Sequence, residues 1–97
     1  MIKHIVTFRL KGSESARREA AEKFRDALMD LPARIPELIS MEVGVNSNQA
    51  EQWDVVLTAV VKDMHDLEIY AKHPLHIAAA AIIKDLKEDR ACVDYEF

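Results

Sequence analysis

Ile39-Ser40-Met41-Glu42-Val43-Gly44-Val45-Asn46-Ser47-Asn48-Gln49, and the run Trp53-Asp54-Val55-Val56-Leu57-Thr58-Ala59-Val60-Val61 soon after it, decide the architecture of this 97-residue chain. Ile39, Met41, Val43 and Val45 alternate with Ser40, Glu42, Gly44 and Asn46, the period-two pattern of a strand. Asn46-Ser47-Asn48-Gln49 is a polar turn, so a second strand, Trp53 to Val61, follows without an intervening helix. Val55, Leu57, Ala59 and Val61 share one face of that strand and Val56, Thr58 and Val60 the other. Both faces are apolar, which asks for a covering layer on each side.

Working outward, each flank supplies a helix and a strand. On the N-terminal side Ile2 to Leu10 alternates, with His4, Val6, Phe8 and Leu10 on one face and Lys3, Ile5, Thr7 and Arg9 on the other. Gly12-Ser13 breaks that strand, and Ser13 or Ser15 can cap a helix to about Leu31 whose Ala20, Phe24, Ala27, Leu28 and Leu31 recur at helical spacing. Pro32 and Pro36 end it. On the C-terminal side Asp63 can cap a short helix through Tyr70, and Pro74 restarts a helix to about Leu86. Ala91, Val93, Tyr95 and Phe97 then alternate with Cys92, Asp94 and Glu96. The order βαββαβ is that of an α+β, ferredoxin-like fold: a four-stranded antiparallel sheet with both helical crossovers on one face. Residues 1–97 are read as a single domain. Two helices cover one side only, and Ile5, Val56, Val60 and Trp53 leave the other side apolar. The expected partner for that face is a second copy of the chain, sheet against sheet, in a homodimer.

Composition narrows the function classes. With 49% hydrophobic and 31% charged residues the chain is of the water-soluble globular type. Val55–Val61 and Ile77–Ile83 are its longest apolar stretches, far short of the roughly 20 residues that span a bilayer, so no membrane partner is expected. A net charge of −4 and no basic stripe oppose nucleic-acid binding. No signal peptide is recognisable, and Cys92, the single cysteine, closes no intrachain disulfide; a cytoplasmic location is expected.

The chemistry concentrates in Leu67-Glu68-Ile69-Tyr70-Ala71-Lys72-His73-Pro74-Leu75-His76-Ile77. Pro74 disfavours helical geometry at His73 and suits the first turn of a new helix, so Tyr70 and His76 can be aimed from two elements toward one space. A phenol and an imidazole so placed can act as hydrogen-bond donor and general base. The same pair also fits a satisfied polar contact in the core, with His76 bonded to Tyr70 or to a main-chain carbonyl. His4 points toward the helices and is read first as a core histidine; with His76 in the same cavity it becomes a second polar anchor. Ala78-Ala79-Ala80-Ala81 either lets the helix approach the sheet closely or leaves space beside His76 and Ile83 for a flat apolar ligand. His73 and His76, with His65, Asp66 and Glu68 upstream, do not complete a tetrahedral set, so no metal is expected, and no residue singles out a haem or another cofactor.

Met1-Ile2-Lys3-His4-Ile5-Val6-Thr7-Phe8-Arg9-Leu10, Glu42-Val43-Gly44-Val45-Asn46, Asp66-Leu67-Glu68-Ile69-Tyr70, His73-Pro74-Leu75-His76 and Val93-Asp94-Tyr95 together resemble the stress-responsive A/B barrel (Dabb) family across essentially the whole chain. The resemblance implies a ferredoxin-like subunit that pairs into a dimeric α/β barrel. The family includes a polyketide cyclase, which implies Tyr70 and His76 as a catalytic pair, with His4 and Phe24 as ligand-binding residues of a small apolar pocket; His73, beside Pro74, and Ile83, on the helical face of His76, complete the expected ligand-binding set. If the chain is an enzyme, the implied activity is that of a cofactor-independent, polyketide-cyclase-like lyase. The alternative is a non-catalytic, stress-related structural or interaction protein whose product is the stable homodimer.

Overall fold

The computed structural model describes residues 1–97. Strand β1 (Ile2–Leu10) leads through Gly12, whose φ of 111° only glycine adopts freely, into helix α1 (Glu14–Met29). Ser13 caps that helix, its side chain accepting from the Ala16 amide at 3.2 Å. A short 3₁₀ turn at Leu31–Ala33 precedes β2 (Leu38–Val45), which is followed by β3 (Val55–Val61). Helices α2 (Met64–Lys72) and α3 (Pro74–Ala81) then carry the chain to β4 (Lys87–Glu96). The strands are ordered β2-β3-β1-β4 and every neighbouring pair is antiparallel. This is the ferredoxin-like βαββαβ arrangement expected from the sequence.

The register fixes which residues share a face. Val6 lies opposite Leu57 and Cys92, and His4 opposite Ala59 and Asp94. Ile2, Val6, Phe8, Leu10, Val55, Leu57, Ala59 and Val61 are buried under the helices with Ala21, Phe24, Leu28, Leu67, Tyr70, Ala79 and Ile83. Phe8 and Phe24 meet edge to face, with centroids 5.4 Å apart. The opposite face of the sheet has no helix on it. Val56, Val93 and Tyr95 are exposed there, and Ile5 and Val60 are half-buried between them. No helix is long and apolar enough to cross a membrane.

Several boundaries differ from the sequence reading. The first helix ends at Met29, not Leu31, because Leu31 turns inward in the 3₁₀ segment and is buried there. Ile39 falls at a register shift between Leu38 and Ser40, so Leu38 takes the buried position and Ile39 is exposed. Trp53 lies before β3, held outside the ladder. Helix α3 stops at Ala81, where the amides of Ile82, Ile83 and Lys84 turn back to the carbonyls three residues earlier. That tightening keeps Ile83 buried and lets β4 start at Lys87, four residues before the alternation becomes visible in the sequence.

Candidate functional site

Tyr70 and His76 are brought together by the junction of α2 and α3. His73 ends α2 and begins α3 in extended geometry, with φ −64° and ψ 135°. Its Nδ1 accepts from the Leu75 amide at 3.1 Å, so His73 carries its ring proton on Nε2 and serves as a helix cap. Across this joint the Tyr70 and His76 ring centroids are 4.6 Å apart at an interplanar angle of 59°. His4, from β1, meets the other side of the phenol edge to face, with centroids 6.3 Å apart. The buried phenol is therefore flanked by two imidazoles from different elements.

Hydrogen bonding assigns the roles of the ring nitrogens. His76 Nδ1 lies 2.9 Å from the Ala71 carbonyl, which can only accept, so Nδ1 donates and Nε2 keeps its lone pair. Burial pushes the His76 imidazole below its ordinary value; the Ala71 carbonyl opposes that shift, while the charges of His4, Arg90 and His73 add to it. His76 is thus held as a neutral base. Tyr70 is fully buried, and its hydroxyl has no hydrogen-bond partner. Burial also pushes its pKa well above the ordinary phenol value, so it stays a protonated donor.

The sequence reading did not count two side chains of β4 among the site residues. Asp94 accepts from His4 Nδ1 at 2.5 Å, and Cys92 Sγ lies 3.5 Å from the same nitrogen and 3.6 Å from Asp94 Oδ1. Burial pushes the Cys92 thiol up, and the Asp94 charge adds to the effect. The signal that finds these residues is the antiparallel pairing of the first and last strands, which puts Cys92 and Asp94 on the His4 side. Alternation within β4 alone does not say which face is inward.

The other sequence candidates lie elsewhere in the same layer. Phe24 is 2% exposed and packed on Phe8, and Ile83 is 2% exposed in the core. A polar cleft of about 710 Å³ lies at the far end of the sheet, lined by Arg9, Arg17, Arg18, Asn48, Gln52 and Asp54 among others. A second, of about 400 Å³, lies on the uncovered sheet face beside Trp53, Val56 and Gly44. Neither is lined by Tyr70 or His76.

Solved structures of the same shape are numerous. A dimeric protein of unknown function and ferredoxin-like fold from Bacteroides fragilis is 40% identical, with a TM-score of 0.96, 99% of this chain and 95% of that chain being covered. A dimeric ferredoxin-like protein of unknown function from Thermobifida fusca is 32% identical with a TM-score of 0.84, covering 99% and 90%. A hydroxynitrile lyase from Passiflora edulis, 16% identical with a TM-score of 0.77 and covering 97% and 90%, shares the fold, as do proteins described as antibiotic biosynthesis monooxygenases. No curated protein matches the chain. The profile of the stress responsive A/B barrel domain matches residues 2–97, from the first residue of β1 to the last of the chain, and the protein belongs to that family.

Proposed function

We propose that the chain works as a cytoplasmic homodimer, closed through its uncovered sheet face, and that Tyr70 and His76 form an acid/base site for a small carbonyl compound. The observation that carries the second part is the pairing of an unpartnered, buried phenol with an imidazole whose Nδ1 is fixed by Ala71. A buried hydroxyl without a partner costs about 1–3 kcal/mol, a cost that a ligand oxygen at the phenol removes. In the cyclase-like reaction the His76 Nε2 takes a proton from a carbon between two carbonyls. The Tyr70 O–H holds the oxygen on which the enolate charge develops. The carbanion attacks a second carbonyl of the same chain, and the imidazolium returns its proton to the new alkoxide. Neither step requires a metal or an organic cofactor. His4 flanks the phenol and would serve as a polar anchor, His73 acts through the joint it caps, and Phe24 and Ile83 stay packed in the core. The lyase and monooxygenase names among proteins of this fold agree with a scaffold that hosts several chemistries, which is why the residues and not the fold carry the proposal.

The dimer is supported by the apolar residues on the uncovered face and by the description of both nearer relatives as dimeric. The site is tested with a linear 1,3,5-tricarbonyl compound, following its intramolecular aldol closure by absorbance. Wild-type protein is expected to accelerate closure. His76→Ala should abolish the acceleration and Tyr70→Phe reduce it by about 10²-fold, the contribution of one oriented donor, with the oligomeric state unchanged. Equal rates with wild type and His76→Ala would remove the acid/base reading and leave a non-catalytic dimer.

A further inference from the structure

We propose that His4, Cys92 and Asp94 form a three-ligand site for a divalent metal ion of the zinc class on the helix-facing side of the β1–β4 pair. This goes beyond the acid/base reading and does not depend on it. One nitrogen, one sulfur and one carboxylate oxygen lie within 4.8 Å of one another, from three residues on two adjacent strands. That donor set, with its thiolate and imidazole, suits zinc or cobalt better than magnesium or calcium, which take oxygen ligands.

The distances carry the argument. A tetrahedral zinc ion with bonds of about 2.0–2.1 Å to nitrogen and oxygen and about 2.3 Å to sulfur separates sulfur from each of the other two ligands by about 3.5 Å. Cys92 Sγ lies 3.5 Å from His4 Nδ1 and 3.6 Å from Asp94 Oδ1, so two of the three edges are already set. The third, between nitrogen and oxygen, is about 3.3 Å in such a site. Here it is 2.5 Å, closed by a hydrogen bond. A cation replacing that proton opens the edge by about 0.8 Å, a movement within reach of the Asp94 side chain, which is partly open to solvent. On binding, the Nδ1 proton moves to Nε2 and the thiol proton goes to solvent.

The same atoms argue against a nucleophilic triad. In such a relay the imidazole uses one ring nitrogen for the nucleophile and the other for the carboxylate. His4 turns the same nitrogen, Nδ1, to both Cys92 and Asp94. Three donor atoms so close together, with one ring nitrogen shared, fit coordination better than a relay. The backbone supports it: His4 and Asp94 are direct partners in the ladder, and Cys92 stands one pleat away on the same face.

Cobalt(II) chloride titrated into metal-free protein tests the site. The expected result is one equivalent bound, with intense visible bands of a tetrahedral ion and a thiolate-to-cobalt charge-transfer band, all displaced by zinc. Cys92→Ser should remove the charge-transfer band, and Asp94→Asn should weaken binding by about tenfold or more. Zinc should raise the melting temperature of wild type but not of Cys92→Ser, while His65→Ala, a change at an exposed histidine outside the cluster, should bind as wild type does. Circular dichroism of each variant separates lost ligation from lost fold. A cobalt spectrum that stays that of the hydrated ion, or a cobalt affinity left unchanged in folded Asp94→Asn, overturns the proposal.

Discussion

At Tyr70 the requirements of stability and of chemistry diverge. The ring fills the core and the hydroxyl beside it has no partner, so removing that oxygen should not weaken the free protein. Tyr70→Phe is expected to leave stability unchanged or raise it by about 1 kcal/mol in urea denaturation, even as it removes the proposed donor. A loss of more than that amount would mean the hydroxyl is satisfied. His76 makes a separate prediction through pH. Its folded pKa is lowered from 6.5, mainly by burial, so below that value the unfolded chain binds more protons than the folded one. Stability should therefore fall as pH drops from about neutrality through the unfolded value toward the lower folded one, and level off below it. His76→Gln should flatten that part of a curve of melting temperature against pH. The sequence made Tyr70 and His76 legible because Pro74 marks the joint between them. The grouping of Asp94 and Cys92 with His4 was not legible because His4 is 90 residues away in the chain from Asp94 and only the sheet register unites them.

Among the elements, two polar side chains fasten junctions. Asp54, just before β3, accepts from the Leu10 amide at 2.7 Å and pairs with Arg17 of α1 at 3.3 Å, tying together the end of β1, the first helix and the hairpin. Asp54→Ala should cost about 2 kcal/mol, the worth of a hydrogen bond to a charged group, and Asp54→Asn less, since its amide oxygen can still accept from Leu10. His73 caps α3, and His73→Ala should cost about 1 kcal/mol, with recovery in His73→Asn, by thermal or urea denaturation. The starts of the helices were legible because Ser13, Asp63 and Pro74 are explicit signals. The end of α3 was not, because no glycine or proline marks it. The Ala78–Ala81 run continues into Ile82 and Ile83, and the helix yields there to the need to bury Ile83 and turn into β4. Likewise the bulge at Ile39 breaks an alternation that reads as regular, because burying Leu38 outweighs burying its neighbour.

For the molecule as a whole, the alternation in every strand already implied one sheet face without helices, and that face now has a definite composition. Val56 lies on it opposite Thr7 and Gly44, and Val93 and Tyr95 extend it along β4. A lysine at position 56 would place an unpaired charge in the proposed contact at a cost of several kcal/mol. Val56→Lys should raise the dimer dissociation constant by about a hundredfold or more, read by analytical ultracentrifugation. An unchanged dimer would mean that the copies meet elsewhere. If copies pair through the uncovered face as proposed, the chain's abundance becomes part of its physics. When folding and pairing are one equilibrium, each tenfold dilution removes about 1.4 kcal/mol per mole of dimer, and the melting temperature falls with it. A cell holding little of this protein would hold a less durable one, so the level of expression would itself act as a stabiliser.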